Sequence, residues 1–562
     1  MSKYPWLSHY PEGVPKEINA DKYENLAALL EESFEKYGDK PAFENMGKVY
    51  SFNDIDTLSR NFAAYLQKEV GLKPGDKIAI QMPNLLQYPI AMFGALRAGL
   101  TVVNTNPLYT PSEMEHQFKD SEAKAIVILA NFAFNLEKIL SKTQIKTIIV
   151  TEIGDMIGGL KGGIINFVVK NIKKMVPSYS LPGVKRFKDV LKKGANHEFD
   201  KPQIANSDLA YLQYTGGTTG VSKGAMLSHR NMVANLMQVN SWMQHGGLKD
   251  GEEIFITALP LYHVFALTCN ALVSAEIGAR NVLITNPRDM KAFIKELGNH
   301  QFSVITGVNT LFNGLLNQPP FANLDFSKLK FAFGGGMAVQ RAVSDKWEQI
   351  TGAPLSEGYG LTETSPVLTA NPLDGNGRVG YIGMPVPSTE IILIDEEGKE
   401  VAPGEKGELC AKGPQVMGGY WNKPEETENS FHKGWFKTGD IAMMTEDGFF
   451  KIVDRKKEMI LVSGFNVYPN EIEDVVASHN KVLEVGAIGV PDKKSTEAVK
   501  IYIVKSDESL TEEEIKAYCK ENLTGYKCPK YVAFTDELPK SNVGKILRRV
   551  IKENDLKENS YD

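Results

Sequence analysis

The chain has 562 residues, 63 Lys and Arg against 69 Asp and Glu, and 42% apolar residues. Its length fits two or more domains, and its mildly acidic balance argues against a general nucleic-acid binder. The start Met1-Ser2-Lys3-Tyr4-Pro5-Trp6 lacks the apolar core of a signal peptide, no run of about 18 apolar residues suggests a membrane span, and Cys269, Cys410, Cys519 and Cys528 lack metal-ligand spacing. Few, reduced cysteines make the cytoplasm the expected compartment.

Asn53 to Val70 predicts a helix, with Ile55, Leu58, Phe62 and Leu66 on one face and Gly71 after it. KIAIQM from Lys77 reads as a strand, followed by an apolar helix interrupted by Pro89 and a strand from Thr101 to Val103. AIVIL from Ala125, TIIV from Thr147, EIFITAL from Glu253, NVLIT from Asn281 and KLKFAF from Lys328 continue the alternation. Strands separated by helices imply parallel sheets covered by helices. Near Val379 the pattern changes to strand–turn–strand, as in IILIDEEGKEV, GELCAKG and GFFKIVD, which predicts a small antiparallel subdomain. A last group of strands surrounds Ile460, Val485 and Ile501, with a helix opened by the capping box Thr511-x-x-Glu514.

The expected fold class is therefore α/β. A large N-terminal domain of helix-covered sheets with a small antiparallel subdomain takes residues 1–453, and a small α+β C-terminal domain takes residues 458–562. The charged junction 454–457 reads either as a hinge or as a solvated turn.

Ile157 to Lys188 contains no acidic residue but carries Lys161, Lys170, Lys173, Lys174, Lys185, Arg186 and Lys188. Ile165, Val168, Val169, Ile172 and Val176 fall on one helical stripe. Two readings stand: a helix lying on an anionic bilayer, or an amphipathic helix packed on its own domain.

The strongest local signal is YTGGTTGVSKG, Tyr214 to Gly224, between strand-like YLQY and GAML, with Ser228 capping the next helix. Gly216, Gly217 and Gly220 allow sharp turns and bring backbone amides close to an anion. Thr215, Thr218, Thr219 and Ser222 add hydroxyls and Lys223 adds a charge, a set that suits a polyphosphate. A P-loop would need G-x-x-x-x-G-K-[ST] opening a helix directly, and here a strand follows Lys223.

YTGGTTGVSKG resembles the signature of the adenylate-forming superfamily, which includes acyl-CoA synthetases, peptide-synthetase adenylation domains and beetle luciferases. GYGLTET (Gly358 to Thr364), GWFKTGD (Gly434 to Asp440), IVDRKKEMILVSGFNVYPNEIE (Ile452 to Glu473) and PKSNVGKILRR (Pro539 to Arg549) match in the family's order. LPLYHVFAL from Leu259 and GGGMAVQ from Gly334 are similar to bacterial long-chain fatty-acid–CoA ligases in particular.

The resemblance implies activation of a fatty acid with ATP and Mg²⁺ to acyl-AMP, release of pyrophosphate, and transfer to coenzyme A. It implies Lys223 and Thr362 on the phosphates, Glu363 and Thr219 on Mg²⁺, and Tyr359, in GYG with Gly358, against adenine. Gly335 and Gly336 approach the base or the acyl carbonyl. Asp440 accepts from the ribose hydroxyls, as an ionised carboxylate can, and Arg455 reaches ribose and phosphate with its planar fork. Lys545 bridges carboxylate and α-phosphate during adenylation, where growing negative charge needs a fixed cation. The C-terminal domain is then mobile: it turns to present SGFNVYPNEIE, with Gly464 beside the pantetheine arm and Lys457 at the hinge.

His263 resembles a histidine in the wall of the acyl pocket. That pocket is expected between Trp242 to Leu267 and Val308 to Leu315, although core packing accounts equally well for the second stretch. Leu267 falls where some long-chain relatives carry an aromatic gate. The resemblance also implies a homodimer; the expected location is the cytoplasm, with peripheral contact on the inner face of the cell membrane if Ile157 to Lys188 lies on the bilayer. A medium-chain or aryl acid–CoA ligase and an acyl-AMP ligase serving a carrier protein are the alternative functions.

Overall fold

The computed structural model describes residues 4–215, 222–463, 465–541 and 544–561. The run of apolar residues in Lys77–Gln81 is explained by its central place: Ile78, Ala79 and Ile80 are fully buried, as a parallel strand covered on both faces requires. Thr101–Asn104 and Ala125–Leu129 pair with it in parallel on either side. Thr147–Thr151 and Lys185–Arg186 extend the sheet on one side. Leu209–Thr215 extends it on the other and turns back antiparallel into Lys223–Ser228.

A second, nine-stranded sheet is centred on Ile254–Thr257, Val304–Gly307, Phe331–Gly334 and Leu355–Gly360, all parallel. Antiparallel strands close both of its ends, Val367–Ala370 with Met384–Pro385 at one and Lys48–Ser51 at the other. Glu390–Ile394, Lys406–Lys412, Trp435–Met444 and Phe450–Arg455 form the small antiparallel sheet that the sequence pattern predicts. One continuous apolar core joins all three sheets, from Trp6 to Phe450.

The chain after Arg455 has cores of its own, one around Ile460, Ile472, Ile501 and Cys519 and one around Val490, Leu538 and Ile551. They lie on opposite faces of a sheet in which Val482–Asp492 and Thr496–Lys505 form the long hairpin. The helices of this part are Pro469–Ala477, Glu512–Asn522 and Arg548–Glu558.

Local expectations are met with some corrections. Phe52–Tyr65 is helical, capped reciprocally by Ser51 and Asp54, and runs on as a wider turn to Val70 before Gly71. Pro89 does not interrupt its helix: it sits in the first turn of Gln87–Arg97, where a missing N–H costs nothing. The junction is not a solvated turn throughout. Lys456 and Lys457 are exposed, but Asp454 is fully buried.

The stripe expected in the basic segment is also revised. Gly159–Phe167 is helical and continues through Val168–Ile172. Ile165 and Val176 pack partly against the domain, while Leu160, Ile164, Phe167, Ile172 and Met175 are exposed, Leu160 at 82%. All four cysteines are free and three are buried. Among the described residues no helix is long and apolar enough to cross a membrane.

Candidate active site

A cavity of about 1270 Å³ opens where the two large sheets, the antiparallel sheet and the C-terminal part meet. Thr215 ends its strand at the rim and faces Lys223 across the hairpin. Gly216, Gly217, Thr218, Thr219 and Gly220 lie outside the described residues, as does Gly464.

The carboxyl ends of the parallel strands of the nine-stranded sheet supply the floor, as expected where ligands bind open α/β sheets. Gly335 follows Phe331–Gly334, and a Cβ on it would stand 3.1 Å from the Phe265 ring and 3.3 Å from the Gly358 carbonyl. A Cβ on Gly358 would strike the Phe333 ring at 2.4 Å. These glycines let the two chain segments lie flat against each other beside the cavity. Gly336, Tyr359 and Thr362 line the same wall.

Tyr359 donates its hydroxyl to Asp440 Oδ2 at 2.5 Å. Asp440 and Arg455 are direct cross-strand neighbours, and Arg455 Nε lies 3.2 Å from Asp440 Oδ1. The Asp440 carboxylate is buried behind these two partners, while Tyr359 and Arg455 face the cavity. Each of its oxygens keeps a second acceptor site. Burial and the Asp440 charge hold the Tyr359 phenol well above its ordinary range, so it stays a donor.

Glu363 sits in the turn Thr362–Thr364 just past Leu355–Gly360, buried yet at the cavity wall. Its Oε1 accepts the Tyr420 hydroxyl at 2.6 Å, and its carbonyl accepts the Met417 amide at 2.8 Å. Lys223 lies over the Tyr420 ring at 4.5 Å.

Lys545 reaches the cavity from the C-terminal part. Its loop is tied off by Ser541, whose Oγ accepts the Lys545 amide at 3.0 Å, and docks on the large domain where Thr310 Oγ1 donates to the Gly544 carbonyl at 3.0 Å. Burial, and then the Arg455 charge, lower the Lys545 ammonium to about 8. Burial and the Lys545 charge lower His263 to about 4, so its imidazole is neutral near pH 7.

His263, Phe265 and Val308 line the cavity's apolar side. Leu267 is instead buried in the core. An aromatic ring does face the cavity nearby, at Phe265, edge-on to Phe333. Trp242 does not line the cavity either: it is fixed in the core by its indole N–H to the Asn371 carbonyl. Within Val308 to Leu315, Phe312 packs against Trp347, so most of that stretch is core.

The sequence of the large domain matches the AMP-binding enzyme family over residues 30–421, and residues 471–545 match the AMP-binding enzyme C-terminal domain. The chain belongs to the AMP-binding enzyme family. It is similar to a long-chain-fatty-acid–CoA ligase of Escherichia coli O6:H1, 57% identical over 552 residues and 98% of both chains. A protein of the same name from Yersinia pestis is 56% identical over 557 residues and 99% of both chains. The fold of this AMP-binding enzyme is that of an anthranilate–CoA ligase solved with anthranoyl-AMP, at a TM-score of 0.84, 24% identity, and coverage of 96% and 99%.

Two further parts of the site carry no sequence signal of their own. Tyr420 lies in GGYW, where nothing marks it as a partner of Glu363. Arg548, in KILRR, reads as surface charge, yet its guanidinium is nearly buried among Asp454, Glu458 and Glu473. Its place inside the matched motif PKSNVGKILRR is the one signal that could have singled it out.

Proposed function

We propose that this AMP-binding enzyme is a long-chain fatty-acid–CoA ligase: it joins a fatty acid to ATP as acyl-AMP, releases pyrophosphate, and passes the acyl group to coenzyme A. The observation that carries the reading is the placing of Lys545 in one cavity with Lys223, Glu363, Arg455 and a neutral His263. Two anions, a carboxylate and a triphosphate, must meet there. Lys223, Arg455 and Lys545 supply fixed positive charge that offsets their repulsion and the charge developing at the α-phosphorus. The names of the relatives, over nearly the full chain, support a long-chain substrate.

We assign Tyr359, Gly335, Gly336 and Gly358 to the nucleotide base, and Asp440 with Arg455 to the ribose. Thr215, Ser222, Lys223 and Thr362, with residues 216–220, bind the phosphates. Mg²⁺ prefers hard oxygen donors. Glu363, a carboxylate held at the cavity wall on the phosphate side, fits that preference, and Thr219 is the second ligand we assign. When bound, the ion neutralises phosphate charge. His263, uncharged, forms part of the acyl wall rather than carrying a proton.

The domains are 1–453 and 458–562 with a hinge at 454–457. The arrangement with Lys545 inserted is the one suited to adenylation. Phe465, beside Gly464, is 54% exposed and stacked on Tyr526, away from the cavity. Turning the C-terminal domain brings this face to the acyl-adenylate for the thiol step.

The enzyme acts in the cytoplasm and on the inner face of the membrane, and the sequence resemblance adds a homodimer. The exposed apolar side chains of residues 160–175, set among Lys170, Lys173 and Lys174, favour contact with an anionic bilayer. The test of the reaction is fatty-acid-dependent exchange of labelled pyrophosphate into ATP without CoA, followed by acyl-CoA formation when CoA is added. Exchange without acyl-CoA would point to a carrier-protein acceptor, and no exchange would overturn the reading.

A further inference from the structure

We propose that Tyr420 is a positioning residue that holds the Glu363 carboxylate and the Lys223 ammonium near each other but unjoined at the phosphate site. The inference rests on the reading of Glu363 as the carboxylate for Mg²⁺.

Three separate parts of the chain converge on this ring. Lys223 opens a strand of the seven-stranded sheet, and Glu363 lies past a strand of the nine-stranded sheet. Tyr420 belongs to the connection between Lys406–Lys412 and Trp435–Met444 of the antiparallel sheet. That connection is clipped to the phosphate hairpin by backbone bonds: Met226 N–H to the Gly419 carbonyl at 2.9 Å and Trp421 N–H to the Gly224 carbonyl at 2.8 Å. The Tyr420 backbone is fixed again by its N–H to Thr427 Oγ1 at 2.9 Å.

The ring is buried, its hydroxyl donates to Glu363 Oε1 at 2.6 Å, and its face takes Lys223 at 4.5 Å. A cation over an aromatic face is held without a counter-anion. The carboxylate meanwhile has one oxygen oriented and its acceptor sites only partly used. One rigid side chain thus keeps a cation and an anion near each other without joining them, so that each stays available to a metal-bound triphosphate.

The experiment compares the full-length enzyme with Tyr420→Phe, Glu363→Gln and the double variant. It follows ATP binding by calorimetry across a Mg²⁺ titration, together with KM for ATP, fatty acid and CoA. Tyr420→Phe keeps the ring face and loses the hydroxyl. Losing one hydrogen bond to a charged group predicts about a tenfold higher Mg²⁺ requirement, with KM for fatty acid and CoA unchanged. The double variant should be no worse than Glu363→Gln, because Tyr420 acts through Glu363. Wild-type Mg²⁺ dependence in Tyr420→Phe, or additive effects in the double variant, would overturn the inference while leaving the role of Glu363 standing. Unchanged Mg²⁺ dependence in Glu363→Gln would remove that role, and the inference with it.

Discussion

Asp454 and Arg548 meet across the charged junction: Arg548 Nη1 donates to Asp454 Oδ1 at 3.0 Å, while the other carboxylate oxygen accepts the Asn470 amide at 2.8 Å. A fully buried acid at the end of the antiparallel sheet thereby holds both the first turn of helix Pro469–Ala477 and the start of helix Arg548–Glu558. Arg548 also donates to Glu473 Oε1 at 2.7 Å and to Glu458 Oε2 at 2.8 Å. Burial opposes its charge, but Glu473 and Asp454 outweigh this and keep it protonated.

Replacing this cation should disturb the adenylating arrangement. Arg548→Met leaves three acids without their partner, and breaking a buried pair costs about 3–5 kcal/mol. We expect a lower melting temperature and acyl-AMP formation slowed more than the thiol step, read by following each half-reaction in a single turnover. Wild-type melting and rates in this variant would make the contact idle.

Glu357 should give stability a pH dependence. Burial raises its carboxyl from the usual range to about 8, and one of its oxygens has no partner. Its folded pKa exceeds its unfolded value, so its contribution is complete below the ordinary carboxylate range and is lost as pH rises toward 8. Between those two values the loss runs at about 1.4 kcal/mol for each step of one in pH. Glu357→Gln, which copies the neutral acid, should melt close to wild type at about pH 4 and above it at about pH 8.5, on either side of that window. A constant difference across that range would contradict the assignment.

Lys545 should govern a basic limb in adenylation. Its ammonium is lowered to about 8, so the charged form is lost as pH rises through that value. The kcat/KM for acyl-AMP formation, which reports the free enzyme, should fall above about pH 8, and Lys545→Arg, charged throughout, should lack that limb. Lys545→Ala should lose roughly 10²–10³ in adenylation and largely spare transfer from preformed acyl-AMP to CoA. Equal losses in both halves would refute the role.

The basic helix should report on membranes. Changing Leu160, Ile164 and Phe167 to Ser removes exposed apolar area without entering the core. Binding to vesicles containing anionic lipid should fall, and activity on fatty acid in detergent should not. Glutamate at Lys161, Lys170, Lys173 and Lys174 should act in the same direction. Vesicle binding that survives both sets of changes would remove the bilayer from the account.

Much of the fold is legible in the residues because strands and turns are local patterns. The apolar runs from Lys77 and Ala125 read directly as covered parallel strands, and GYGLTET and GWFKTGD carry their chemistry in order. What stays hidden depends on packing between distant segments. Tyr420 and Glu363 are brought together by a tertiary crossing with no fixed spacing. Asp454 reads as solvated because charge in a short junction usually is, and only the arrival of Arg548 from near the far end of the chain makes its burial tolerable. The stripe from Ile165 to Val176 divides for a related reason, with Ile165 and Val176 packed and Ile172 exposed: periodicity identifies an apolar face, but not which residues of it meet the domain.

Chain-length preference decides the substrate: kcat/KM for acyl-CoA formation is measured with ATP, Mg²⁺ and CoA across acetate, medium-chain and long-chain fatty acids and an aromatic acid. For a long-chain ligase kcat/KM rises with chain length, by up to about 0.8 kcal/mol per buried methylene, and reaches its maximum among long chains. A maximum at short or aromatic acids would leave the adenylating site in place and contradict the long-chain assignment.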